Sequence, residues 1–176
     1  MLIALTGTPG TGKTAVAEKL KKRGLRVESV IELARKNDSI IDEEGDEVVI
    51  DVERLSKTRF DGIVEGHLSH LLSPDLTVVL RCNPLVLKKR LEERGWSEEK
   101  VMENVEAELL DVILVEALES CPEVYEVDTT NLKVDDVADI VEGIVRGDAG
   151  LRRNYKPGKI DWLSELEERL DEVVRK

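Results

Sequence analysis

The sequence predicts an α/β fold built on a mainly parallel sheet. Three observations carry this. Short apolar runs alternate with stretches of helical periodicity from residue 2 to residue 145. The first run, Leu2 to Thr6, leads through a glycine-rich loop straight into a helix. The chain has 176 residues, of which 41% are hydrophobic, enough for one sizeable core.

Each element follows from its own pattern. Leu2 to Thr6 is an apolar run of the kind found in strands covered on both faces. Gly12 to Arg23 places Ala15, Val16, Ala17 and Leu20 at helical spacing, and Gly24 stops it. Leu25 to Ser29 is a second strand, and Val30 to Lys36 a brief helix. Residues 38–53 hold eight acids and no base, which predicts a solvated excursion with a strand at Val48 to Ile50. A helix over Val52 to Thr58 and strands at Gly62 to Glu65 and Leu76 to Leu80 come next.

Asn83-Pro84 combines an N-cap with proline at the first helical position, starting a helix that runs to Arg94 and stops at Gly95. Ser97-Glu98-Glu99 opens a long helix reaching about Glu119, with acids where the dipole favours them. Val124 to Val127 is the last strand, and Val134 to Val145 another helix. Residues 146–158 mix glycine, proline and arginine and read as a connector. Trp162, Leu163, Leu166, Leu170, Val173 and Val174 then form a helical stripe over residues 161–176. The organisation expected is a main domain over 1–145 and a linker with a C-terminal helical appendage over 146–176.

Composition narrows the function. Thirty-eight acids against 26 bases leave a net charge of −12, which argues against a nucleic-acid binder with a basic face. No direct, sequence-specific nucleic-acid binding is expected. No apolar run approaches membrane-spanning length, and the N-terminus lacks the basic start of a signal peptide. Two cysteines, Cys82 and Cys121, are too few for a disulfide framework or a thiolate zinc site, so a cytoplasmic protein with reduced thiols is expected.

The sharpest signal is Gly7-Thr8-Pro9-Gly10-Thr11-Gly12-Lys13-Thr14, a full G-x-x-x-x-G-K-[ST] match between a strand and a helix. Its glycines let backbone N–H groups turn inward onto phosphate oxygens, and the helix behind offers its N-terminus to the same anion. Lys13 is placed to reach the β and γ phosphates of ATP, and the Thr14 hydroxyl to ligate Mg²⁺. An acidic chain can thus hold a polyphosphate through a local field made by its backbone.

Phosphoryl transfer needs more carboxylate and more cations. Glu65 ends an apolar strand and would sit beside the loop, holding a metal-bound water. His67, two residues on, would orient a nucleophile, contact substrate or simply lie in a loop. His67 and His70 have no further ligand beside them, so zinc is not expected. Residues 81–100 hold six bases and four acids in an otherwise acidic chain. Arg90 and Arg94 stand four apart on one helix face, suited to clamping phosphate oxygens. Arg35 could hold a monophosphate. Asn131 follows the last strand, where it would contact a nucleobase or cap the next helix.

These motifs resemble the adenylate kinase isoenzyme 6 family, adenylate-kinase-like ATPases of small-ribosomal-subunit maturation. The resemblance covers about residues 1–145. It rests on the glycine-rich loop, on Glu32-Leu33-Ala34-Arg35 followed by the acidic stretch, and on Glu65-Gly66-His67. Arg90-Leu91-Glu92-Glu93-Arg94-Gly95-Trp96, with Lys100 and Glu103-Asn104, is a more specific marker than the glycine-rich loop. Tyr155-Lys156-Pro157-Gly158-Lys159-Ile160-Asp161-Trp162 is similar to the archaeal branch.

The resemblance implies a three-layer P-loop nucleoside monophosphate kinase-like fold on a five-stranded parallel sheet, with a monophosphate-binding segment at about 28–51 and a short lid at about 95–105. It implies ATP contacts from Gly10, Gly12, Lys13, Thr14 and Ala15, with Arg94 closing on the phosphates. It also implies broad-specificity nucleoside monophosphate kinase activity, ATP hydrolysis, and transient binding of a basic small-subunit platform ribosomal protein and the pre-ribosomal subunit. Residues 98–126, with ten acids and one base, suit such a basic partner. Two departures stand out. The eukaryotic pattern has Asp-x-His where this chain has Glu65-Gly66-His67, and the arginine that long-lid adenylate kinases carry after the strand-end acid is missing.

Overall fold

The computed structural model describes residues 1–175. Strand β1 (Leu2–Thr6) leads through the glycine-rich loop into helix α1 (Lys13–Lys22). Then come β2 (Val27–Ser29), α2 (Val30–Lys36), the hairpin β3 (Ile40–Glu44) and β4 (Glu47–Ile50), α3 (Val52–Ser56) and β5 (Gly62–Glu65). A 3-10 turn (Ser69–Leu71) precedes β6 (Leu76–Arg81), α4 (Pro84–Glu93), α5 (Glu98–Leu109) and α6 (Val112–Ser120). The chain continues through β7 (Val124–Asp128), α7 (Val134–Arg146), α8 (Ala149–Asn154), α9 (Trp162–Glu165) and a 3-10 segment (Glu167–Glu172).

Among the described residues, five strands form one sheet in the order β2-β5-β1-β6-β7, every neighbouring pair parallel. Successive residues point to opposite faces. Leu76, Val78 and Leu80 of β6 therefore join Ile3, Leu5 and the α1 and α7 residues Val16, Leu20, Val137, Val141 and Ile144 on one side. Val79 faces the other way, against Leu114 and Ala117 of α6, and Val64 of β5 packs on Val30 and Leu33 of α2. Helices thus cover both faces, as the alternating sequence pattern predicted. β1 lies at the centre, flanked by β5 and β6, so its carboxyl end opens where the strand order reverses, the place where such sheets bind ligands.

Local structure departs from the sequence reading at four places. The acidic excursion contains two strands rather than one: β3 pairs antiparallel with β4, from Ile40 opposite Ile50 to Glu44 opposite Glu47. β3 was illegible because three of its five residues are acidic and four are exposed. The long helix expected from Ser97 to Glu119 is broken at Asp111, whose φ is 57°. Arg81 takes both the Glu108 carbonyl, at 3.3 Å, and the Asp111 carboxylate, and so draws the chain out of the helix. The connector contains α8, started by Asp148, whose side chain accepts from the Leu151 N–H. The tail stripe is no single helix: α9 has four residues, and the 3-10 segment behind it kinks at Arg169. The expected helix ran to Lys176, which lies outside the described residues.

Half of the tail stripe is nonetheless buried, while Leu163 and Val174 stay exposed. Trp162, Leu166 and Val173 pack with Leu87 and Leu91 of α4 and Val101, Val105 and Leu109 of α5. No helix among the described residues is long and apolar enough to cross a membrane. Leu20 is fully buried where α1 meets the sheet and α7. Leu20→Ala is expected to cost about 2–5 kcal/mol, the range for a leucine cavity that packing cannot refill. Urea unfolding checks this, through a lower midpoint at unchanged slope.

Candidate functional site

The loop from Gly7 to Thr14 is shaped by two close approaches. At Gly7 (φ +142°) a Cβ would stand 2.4 Å from the Leu80 carbonyl oxygen, so only glycine lets β1 and β6 meet there. At Gly10 (φ +93°) a Cβ would lie 2.7 Å from Leu87 Cδ1 and 3.0 Å from Leu91 Cδ2. The loop therefore rests directly on α4, the helix that carries Arg90. Arg90 donates to the Gly10 carbonyl at 3.2 Å. Gly12, in the left-handed region, ends the loop as the N-cap of α1. Ala15 lies exposed in the first turn of α1.

Lys13 is buried. Its Nζ donates to the Gly7 carbonyl at 2.7 Å and the Thr8 carbonyl at 3.1 Å, so the loop folds around its own lysine. Loss of water pushes the ammonium pKa down to about 8. Glu65 works against that fall, and the Arg94 charge adds to it. Arg94, at the C-cap of α4, thus contributes to the same electrostatic site as Lys13.

Parallel pairing puts Glu65, the last residue of β5, level with Leu5 of β1. From there its Oε1 accepts a hydrogen bond from the Thr14 hydroxyl at 3.2 Å. Burial raises the Glu65 carboxyl above its ordinary value, while Lys13 and the Thr14 hydroxyl pull it down. A hydroxyl and a carboxylate side by side, next to the glycine-rich loop, make a hard oxygen donor set that fits Mg²⁺.

The remaining candidates are spread around this centre. His67 lies exposed on the loop after β5, and partial desolvation with the nearby Lys13 charge holds its imidazole below the ordinary value. His70, by contrast, is buried between the Thr6 hydroxyl and Glu116, at 2.9 Å from each. Arg35 is half-exposed at the end of α2 and pairs with Glu43 of β3 rather than with the phosphate loop. Asn131 is exposed between β7 and α7. It does not cap α7, because that place belongs to Lys133, whose N–H donates to Asp136. The Asn131 loop is still tied to the phosphate loop, since Thr129 donates to the Thr11 carbonyl at 2.9 Å.

Sequence reasoning missed the polar network beneath the loop. Thr8 Oγ1 donates to Glu108 at 2.7 Å, and Glu108 and Arg81 form a buried ion pair at 2.9 Å. The only signal was an arginine at the end of an otherwise apolar strand. Also unforeseen is an open cleft of about 410 Å³ between the hairpin and α5, lined by Glu47, Ser97, Glu99, Lys100, Glu103 and Asn104. Lys100 spans it, 3.6 Å from Glu47 and stacked 4.5 Å from the centre of the Trp96 ring.

A parallel sheet with this loop at its centre defines the class as an α/β P-loop protein of the kinase fold. The YorR protein of Bacillus subtilis, solved in complex with phosphorylated GDP, matches over 83% of this chain and 96% of its own, with a TM-score of 0.55 and 20% identity. A family model described as an AAA domain matches residues 3–111. An Archaeoglobus fulgidus protein named "Putative adenylate kinase" is 64% identical over 177 residues, covering 100% of this chain and 99% of that one. A Methanocaldococcus jannaschii protein of the same name is 43% identical, covering 92% of this chain and 93% of that one. The chain belongs to this archaeal adenylate-kinase-like family.

The buried Lys13 ammonium yields a stability prediction. Its pKa is lower folded than unfolded, so the charge costs the fold something below about pH 8, and the cost fades as pH rises toward the ordinary lysine value. Lys13→Met is expected to be more stable than the parent at pH 7 without nucleotide, by up to about 3 kcal/mol, and so to melt higher. The gap should shrink between pH 8 and pH 10.5. Thermal melts across that range check both statements.

Proposed function

We propose that the chain is a broad-specificity nucleoside monophosphate kinase of the adenylate kinase type, converting ATP and AMP to two ADP, with ATPase activity. What carries this reading is the convergence of Lys13, Thr14, Glu65 and Arg90 around one glycine-rich loop at the centre of the sheet, with Arg94 a turn beyond Arg90 at the C-cap of α4. The names of the archaeal relatives support it. In this reading residues 1–145 are the kinase domain, 28–51 bind the monophosphate, 95–105 form a lid, and 146–176 are a C-terminal extension.

ATP lies with its phosphates on the backbone N–H groups of Gly10, Gly12, Lys13, Thr14 and Ala15 and its base near Asn131. Lys13, Arg90 and Arg94 neutralise charge on the moving phosphoryl group, and positioning supplies most of the rate. Thr14, and Glu65 through water, would hold Mg²⁺, which would supply positive charge to offset that of the phosphates. Arg35 takes the monophosphate, exchanging Glu43 for it. The acceptor phosphate is already anionic, so no general base is required, and His67 orients what approaches the γ-phosphate. The cell compartment is the cytoplasm.

One observation favours a second role beside this one. Val112, Val115 and Leu118 are exposed on α6, within the acidic stretch 98–126. An apolar stripe ringed by acids suits a basic protein, which here means a small-subunit platform ribosomal protein during late maturation of that subunit. On that reading nucleotide state gates release of the partner.

One comparison separates the roles. ADP formation from ATP is measured with and without AMP, alongside phosphate release, and repeated with the basic ribosomal protein. Strong AMP-dependent ADP formation without phosphate release is the kinase result; phosphate release stimulated by the partner is the assembly result. Lys13→Ala is expected to lower turnover by about two orders of magnitude or more. Turnover near the parent value in that variant refutes the site. Arg94→Ala should lower kcat more than it raises KM, as loss of a contact made mainly in the transition state does.

A further inference from the structure

Glu108, on α5, is 3% exposed, and its two oxygens accept four hydrogen bonds from three separate segments. Oε2 takes the Thr8 hydroxyl at 2.7 Å. Oε1 takes Arg81 Nε at 2.9 Å, the Cys82 N–H at 3.1 Å and the Trp162 indole N–H at 3.1 Å. The carboxylate therefore joins the phosphate loop, the end of β6 and the C-terminal segment at one point.

The Thr8 end of this link bears directly on the loop. The Thr8 carbonyl accepts from Lys13 Nζ at 3.1 Å, from the Thr11 hydroxyl at 2.8 Å and from the Thr11 N–H at 3.2 Å. Thr8 is 2% exposed, so its side chain has no water to turn to. Its bond to Glu108 anchors the same residue whose carbonyl holds Lys13. The Trp162 end is equally confined: the indole is buried against Leu87, Leu91 and Val105, and its ring lies 5.9 Å from the Arg81 guanidinium.

We propose that Glu108 is a positioning residue for the phosphate-binding loop, acting through the Thr8 hydroxyl, and that Trp162 of the C-terminal segment holds Glu108 in the pose that does so. The C-terminal segment is then part of the nucleotide-binding apparatus although it touches no nucleotide. The proposal rests on the loop being a nucleotide site, but not on what becomes of the phosphoryl group.

The test reads ATP affinity, because removing Glu108 itself leaves Arg81 underpaired and risks the fold. Thr8→Val keeps the shape and removes only the donor. It is expected to weaken Mg-ATP binding about tenfold or more by calorimetric titration, the scale for a hydrogen bond to a charged group. Thr8→Ser, which keeps the hydroxyl, should bind within about twofold of the parent. Trp162→Phe should weaken binding about threefold, on the same scale for a neutral donor. The double variant Thr8→Val/Trp162→Phe should bind no worse than Thr8→Val alone, since both act along one chain.

Thr8→Val binding ATP like the parent overturns the proposal. So does a Trp162→Phe variant that melts lower yet keeps full affinity, or a double variant whose losses multiply; each is the mark of a merely structural contact. Normal ATP binding by the parent without any ADP formed from AMP refutes the kinase reading and leaves this test standing.

Discussion

A buried guanidinium must be paired, and the pairing of Arg81 sets the course of much of the chain. Arg81 ends β6 at 1% exposure and meets three carboxylates: Glu108 at 2.9 Å, Glu126 at 3.0 Å and Asp111. Each partner fixes a different element. Asp111, with the Glu108 carbonyl, ends α5 and turns the chain into α6. Glu126 of β7 also accepts the Gly158 and Lys159 N–H groups, which lays the last segment against the sheet. Glu108 reaches up to Thr8. The pairing is costly to assemble, because Arg81, Glu108 and Glu126 leave water together and Asp111 does so in part, and costly to break, because loss of Arg81 leaves three carboxylates unpaired.

The same economy of local fields explains how a chain of net charge −12 presents a phosphate site. The acids lie away from the loop or are already spoken for, as Glu108 is by Thr8 and Arg81 and Glu43 is by Arg35. Lys13 is buried and Arg90 partly so, and loss of water strengthens their pull on an incoming anion. Lys13, held by two loop carbonyls, shapes the loop before any phosphate arrives. Preorganisation of this kind is what makes positioning effective, since little rearrangement is left for the moment of reaction.

Much of this was legible in the sequence, and what was not has a common physical cause. The glycine-rich loop, Glu65 at the end of β5 and the paired Arg90 and Arg94 are local signals, and the fold class follows from periodicity. Asn83-Pro84 marked the start of α4 because capping is decided within three residues. The misread places depend on partners distant in sequence. Helical periodicity runs smoothly through Asp111, and only Arg81, 30 residues away, interrupts it. Trp162 looked like one member of an amphipathic stripe, yet its indole N–H ends on a carboxylate 54 residues earlier. β3 is too acidic for any hydrophobic pattern to show, and Arg35 gave no hint that Glu43 would claim it.

The distribution of rigid and open parts bears on the chemistry. The residues proposed to hold the ATP phosphates lie on or beside the sheet and the buried network. The elements that would meet the acceptor do not: β3 and β4 form a two-stranded hairpin apart from the main sheet, and the start of α5 faces it across an open cleft. The Lys100–Glu47 contact across that cleft, 3.6 Å between half-exposed and largely exposed side chains, is weak by construction. Transfer to a nucleotide and hydrolysis by water differ only in which acceptor reaches the γ-phosphate. A fixed donor half facing a loosely clasped acceptor half puts that choice in the cleft. The extra methylene of Glu65, compared with aspartate, acts instead on the donor side, where it lets the carboxylate reach Thr14. On the proposed function, the balance of transfer and hydrolysis in this chain is then set by how well the hairpin and the start of α5 exclude water, rather than by the phosphate loop.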